Sequence, residues 1–188
     1  MSTPVIEIAD LRTHIVTRWG TIKAVDGVSF AVGEGETLGL VGESGSGKSM
    51  TCLSVLRLVP RPAARIVGGR VLLDGDDLLQ KSEREMQRIR GRRVAMILQD
   101  PMSSLNPVFS VGMQMREPLG SYHGLRGRAL TERAAALLAA ARIPSPAERL
   151  RAFPHQLSGG MRQRVVGAMA IAGPPRLLTA DEPTPSLE

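Results

Sequence analysis

The sequence predicts an α/β fold, with a strand-rich first half, a helical section set into it, and one more apolar strand near its end. Three observations carry this. Residues 4–11 and 24–32 alternate apolar and polar positions and are rich in β-branched side chains. The stretch 128–142 repeats apolar residues at helical spacing. Residues 176–180, RLLTA, form a mostly apolar run that stops at a pair of carboxylates.

The elements follow in order. PVIEIADL and AVDGVSFAV read as the first two strands. GEGETLGLVG reads as a Gly-rich turn and then a short apolar strand from about Thr37 to Val41. After a Gly/Ser loop, KSMTCLSVLRLV has the apolar content of a buried helix, and Pro60 and Pro62 are expected to end it. GGRVLLDGDDLL is a strand running into an Asp-Gly turn. Ser82 and Glu85 have the spacing of a capping box, which opens a short helix to about Arg90. RVAMILQ is a buried strand ending on Gln99, and DPMSSLNPVFSVG is a loop rich in turn residues. In the helix from about Arg128 to Arg142, Leu130, Ala134, Leu137, Leu138 and Ala141 share one face, and Pro144 and Pro146 break it. A last helix begins near Ser158, and RLLTA leads into Asp181.

A chain of 188 residues has single-domain length and can bury a core. Hydrophobic residues at 43% and charged residues at 22% are ordinary for a globular protein, while 3% aromatics leave the core to aliphatic side chains. A net charge of +6 is that of an ordinary solvated basic surface, and it also suits an anionic neighbour: nucleotide, nucleic acid or lipid surface. The basic clusters RGRR and RGR are not interleaved with aromatics, which argues against stacking on single-stranded nucleic acid. Cys52 is the only cysteine, so no internal disulfide forms, as suits a reducing compartment. The N-terminus carries Glu7 and Asp10 and no apolar core of a signal peptide. The most uniformly apolar run, AAALLAAA, is far short of the roughly 20 residues of a membrane span. The expectation is a soluble, cytosolic chain, and any membrane partner must be a different chain.

GESGSGKS, Gly42 to Ser49, fits G-x-x-x-x-G-K-[ST] at every fixed position, between an expected strand and an expected helix. Glycines allow backbone conformations in which successive N–H groups face a phosphate, and the helix N-terminus adds its dipole. The stretch expected to contact nucleotide is Gly42, Glu43, Ser44, Gly45, Ser46, Gly47, Lys48, Ser49 and Met50. Lys48 reaches the β- and γ-phosphates, and the Ser49 hydroxyl holds Mg²⁺. A chance Gly/Ser turn is the bland alternative. At the other end of the chain, Asp181 follows the RLLTA strand in the way a second magnesium ligand does. Glu182 is placed to orient or deprotonate the attacking water. Taken alone, that pair could be an exposed acidic turn before Pro183.

LSGGMRQR, Leu157 to Arg164, decides among phosphate-loop families. With it, the sequence resembles the ATP-binding cassette (ABC) ATPases along essentially its whole length, with the motifs in the family's order. The resemblance implies a P-loop ABC ATPase core with an N-terminal antiparallel β subdomain and an inserted α-helical subdomain. It divides one domain into 1–98 (core and β subdomain), 99–157 (Q-loop and helical subdomain) and 158–188 (signature helix, Walker B strand and part of the D-loop). It implies that Ser158, Gly159 and Gly160 contact the γ-phosphate of ATP held by a second ABC subunit; a plain helix N-cap with flexible glycines is the bland alternative. It gives Gln99 a contact with Mg²⁺ or the attacking water and a sensing role toward the membrane partner. RWGTIKAVDGVSF resembles the segment in which an aromatic, here Trp19, stacks on adenine. Packing at the domain surface is the plain alternative for this lone Trp.

QDPMSSLNPVFSVG, EPL and FPHQLSGGMRQRV resemble the oligopeptide, dipeptide and nickel importer branch. The resemblance implies permease subunits in the membrane, an extracytoplasmic substrate-binding protein, and a place on the cytoplasmic face of the membrane. It argues against a nucleic-acid role: no coiled-coil heptads or zinc-binding cysteines lie between Lys48 and Ser158. After DEPT the residues are Pro185, Ser186, Leu187 and Glu188, where the family has an [ST]-[SA]-L-D loop and later a switch histidine. On that ground the 188-residue chain is expected to be a truncated cassette, binding ATP and hydrolysing it poorly or not at all when alone.

Overall fold

Two long strands, β1 (Ile6–Thr17) and β2 (Gly20–Val32), pair antiparallel and frame the N-terminal part. The computed structural model describes residues 4–98 and 104–181, so Gln99 and Glu182 lie outside the described residues. The chain divides into two compact units, Met1–Arg90 and Gly91–Glu188.

In the first unit β3 (Ala64–Leu73) and β4 (Asp76–Asp77) complete a four-stranded sheet in the order β2-β1-β3-β4. Ile6, Ile8, Leu11, Val71 and Leu73 are buried on it. Both leading strands are longer than predicted, because pairs such as His14–Lys23 and Ile15–Ile22 continue the ladder to the Thr17–Gly20 turn. Register shifts between Ile8 and Leu11 and between Thr13 and His14 break the twofold alternation, which is why the pattern faded there. Helix α1 (Lys48–Val55) packs on the sheet, where the hydroxyls of Thr13 and Ser54 share a buried hydrogen bond of 2.7 Å.

Two expectations are corrected here. Helix α1 stops at Val55, before either proline, because Arg57 adopts a left-handed backbone (φ 54°) and Leu58 N–H donates to Leu53 C=O. Thr37–Val41 is irregular backbone, not a strand. An extended segment becomes a strand only by sharing a ladder with a neighbour, and no strand pairing among the described residues includes it. Its apolar side chains Leu38, Leu40 and Val41 are exposed.

Helix α2 (Glu83–Ile89) starts on the anticipated capping box. Glu85 N–H donates to the Ser82 hydroxyl, and the Glu85 carboxylate accepts from Ser82 N–H at 2.7 Å. The Ser82 hydroxyl and N–H hold the Glu85 carboxyl below its usual pKa.

In the second unit β5 (Val94–Ile97) and β6 (Leu177–Ala180) pair parallel, Val94 opposite Leu177 and Ile97 opposite Ala180. Helices α3 (Val111–His123), α4 (Gly127–Ala140), α5 (Pro146–Arg149) and α6 (Gly159–Ala170) complete it. The core of this unit gathers Val111, Met115 and Leu119 from α3, Leu130, Ala134, Leu137 and Leu138 from α4, and Val165 from α6. Helix α4 lies where the periodicity put it. Helix α3 was not anticipated: Gly112, Pro118 and Gly120 lower its propensity, while tertiary burial of one face at i, i+4, i+8 overrides them.

Candidate functional site

The first unit carries the glycine-rich loop. Gly45 and Gly47 have φ of 83° and 94°, and Gly47 is the N-cap of α1. A Cβ on Gly47 would lie 2.2 Å from the Ala24 carbonyl oxygen, so the loop and β2 meet backbone to backbone and only glycine fits. Helix α1 has no side-chain cap and no acidic residue in its first turn. Its opening N–H groups and the positive end of its dipole are therefore offered to an external anion. The Lys48 ammonium folds back over the loop, donating to Gly42 C=O at 2.8 Å and Glu43 C=O at 2.9 Å. Those carbonyls are weak competitors for an ammonium that could instead meet a phosphate. Ser49 and Met50 follow in the first turn, half-buried. From below, Thr51 N–H and Thr51 Oγ1 donate to Gly47 C=O at 2.8 and 2.9 Å and pin the cap.

Trp19 sits on the turn between β1 and β2, 81% exposed. The turn is tied by Thr17, whose hydroxyl donates to Gly20 C=O at 2.9 Å and accepts from Trp19 N–H at 3.2 Å. The Arg18 guanidinium lies over the indole, 3.9 Å from the ring centroid. Strand β2 leads from this turn to Ala24, against which Gly47 packs; four residues of strand span about 13 Å. The turn that carries the ring and the strand against which the loop packs thus belong to one framework.

The second unit carries the other candidates. Ser158, Gly159 and Gly160 open α6 and are exposed. The Ser158 hydroxyl accepts from Met161 N–H at 3.3 Å, so this helix start is capped by its own side chain. Arg162 Nε donates back to Pro154 C=O at 2.7 Å and Leu157 C=O at 3.1 Å, fixing the approach to the cap. A Cβ on Gly159 or Gly160 would meet nothing within 4 Å. Asp181 is buried at the end of β6, where its N–H donates to Ile97 C=O at 3.0 Å and extends the ladder. Among the described residues no three His, Cys, Asp or Glu side chains converge. The Asp181 carboxylate is a hard oxygen donor of the kind Mg²⁺ takes.

The structure thus brings Trp19 and residues 42–50 together in one unit and places the 158–160 turn and Asp181 in the other. Sequence reasoning missed the roles of Ala24, Thr51 and Arg18. Only Arg18 left a signal, a cation directly before an exposed-turn tryptophan.

The family model described as "ABC transporter" matches residues 25–185. This chain belongs to the ABC transporter family. Among its ABC transporter relatives are two proteins of Bacillus subtilis. The oligopeptide transport ATP-binding protein OppD is 47% identical over 99% of this chain and 52% of its own length. The dipeptide transport ATP-binding protein DppD is 45% identical over 98% of this chain and 55% of its own. The chain spans about half the length of these curated relatives. A solved dimeric structure of the ATP-binding cassette MJ0796, in a post-hydrolysis state bound to ADP and Pi, superposes with a TM-score of 0.84. It is 27% identical and matches over 97% of this chain and 76% of that one. The fold is that of an ABC ATPase cassette.

Proposed function

We propose that this chain binds Mg·ATP and is the nucleotide-binding part of the ATP-hydrolysing subunit of a di- or oligopeptide importer. The observation that carries the reading is the uncapped, left-handed glycine start of α1 with the Lys48 ammonium folded over it. Lys48 would exchange its two carbonyls for phosphate oxygens, and the opening N–H groups of α1 would take the rest of the charge. Trp19 would stack on the base. By the resemblance to the family, Ser49, Asp181 and Gln99 would each offer an oxygen of the kind Mg²⁺ takes, and the metal would neutralise charge on the phosphates. Glu182 would position and deprotonate the attacking water, a role worth roughly 10²- to 10⁴-fold.

The partners follow from the same reading. The capped turn at Ser158 faces solvent with open space at both glycines, which suits a γ-phosphate presented by a second cassette. The segment after Gln99 exposes Val108, Phe109 and Met113, an apolar surface that suits docking on a permease subunit. No helix among the described residues is long and apolar enough to cross a membrane. The names of the relatives, transport ATP-binding proteins, favour a peripheral place on the cytoplasmic face beside a spanning permease. A substrate-binding protein would act on the far side, through the permease. The names of the relatives OppD and DppD favour peptides as the cargo.

The test is Mg·ATP binding and steady-state hydrolysis by the purified chain beside its Lys48→Ala and Glu182→Gln variants. Binding lost in Lys48→Ala is the expected result, and turnover lost in either variant assigns hydrolysis to these residues. A wild-type chain that binds no Mg·ATP would overturn the reading.

A further inference from the structure

The Trp19 ring is not an isolated platform. It is 81% exposed, and a free indole at that exposure would give up rotamer freedom on stacking against a base. One contact limits that freedom, and another fixes the turn that carries the ring. The Thr17 hydroxyl bridges Trp19 N–H and Gly20 C=O and locks the turn, and the Arg18 guanidinium covers one ring face at 3.9 Å from the centroid. No carboxylate among the described residues pairs with Arg18, whereas nearby Lys23 is engaged by Asp26. Among the described residues the guanidinium's partner is the ring, where a planar cation is attracted to the indole face.

We infer that Arg18 is a positioning residue for the nucleotide base: it occupies one face of Trp19, fixes the ring, and leaves the opposite face as the single stacking surface. The bound state is a three-layer stack of guanidinium, indole and base. This rests on the nucleotide reading above and adds to it a residue that touches neither phosphate nor metal.

The test is calorimetric titration of the full chain and its Arg18→Ala and Arg18→Lys variants with two probes, Mg·ATP and inorganic tripolyphosphate. Tripolyphosphate offers the loop its charge but has no base. Arg18→Ala is expected to weaken Mg·ATP about two- to fivefold and to leave tripolyphosphate unchanged. Arg18→Lys, which keeps a cation but loses the planar stack, is expected to recover part of the Mg·ATP affinity. Trp19 is the only tryptophan, so quenching of its fluorescence by ATP, absent with tripolyphosphate, reports the stack directly. An equal loss for both probes would make Arg18 a general electrostatic lure and overturn the inference. Unchanged Mg·ATP affinity in Arg18→Ala would overturn it while leaving the nucleotide reading intact. A wild-type chain that binds neither probe would overturn both.

Discussion

Two helices in this chain begin on a serine- and glycine-rich string, and they begin differently. Helix α1 starts at Gly47, left-handed, with no side-chain cap and its backbone pressed against β2. Helix α6 starts at Ser158, extended, with its own hydroxyl taking Met161 N–H and open space at both following glycines. The first start is committed, since its shape is fixed by neighbours and its N–H groups await an outside anion. The second is satisfied by itself and exposes its glycines to whatever approaches. A loop that cradles its own ligand must be rigid before the ligand arrives. A turn that meets a ligand carried by a partner needs only to be reachable.

The difference can be broken at graded cost. Gly47→Ala should be the most damaging change, because a Cβ would strike the Ala24 carbonyl at 2.2 Å in a left-handed conformation. Strain and overpacking together predict a loss of more than about 3 kcal/mol in urea unfolding. An unchanged midpoint would mean that loop and strand do not meet this closely. Lys48→Ala removes an ammonium that donates to two loop carbonyls, so it should barely affect folding. Nucleotide affinity should fall about 10- to 100-fold, the worth of charge-assisted hydrogen bonds.

On the other side of the comparison the effects shrink. Ser158→Ala removes the cap and should cost about 1 kcal/mol in thermal unfolding. Ser158→Asp, which restores a capping acceptor, should recover that stability. Gly160→Ala places a methyl in open space inside a helix and should leave stability unchanged or raise it by about 0.5–1 kcal/mol. Any loss it causes should show only in ATP turnover by paired cassettes. A destabilised Gly160→Ala would mean that the turn is packed, contrary to the contrast drawn here.

Much of this was legible in the sequence because local chemistry decides it. The Ser82–Glu85 box, the apolar face of α4 and the Ser158 cap each depend on residues within one or two turns of each other. The glycine loop was legible because its function dictates residue types at fixed spacing. What escaped depends on partners far along the chain. Helix α3 survives Pro118 because Val111, Met115 and Leu119 are buried in the helical core. Helix α1 ends at Val55 because Arg57 beyond it is left-handed, which no propensity marks. Thr37–Val41 has a strand's composition and no ladder among the described residues. Its neighbour in space, not its sequence, decides whether it is a strand.

The most direct test of the contrast between the two helix starts is calorimetric titration of Mg·ATP into the dilute wild-type chain, Lys48→Ala and Ser158→Ala. The expected result is saturable binding to the wild type, the same affinity in Ser158→Ala, and a loss of at least about tenfold in Lys48→Ala. Binding that weakens equally in Ser158→Ala and Lys48→Ala, or that is absent from the wild type, would contradict it.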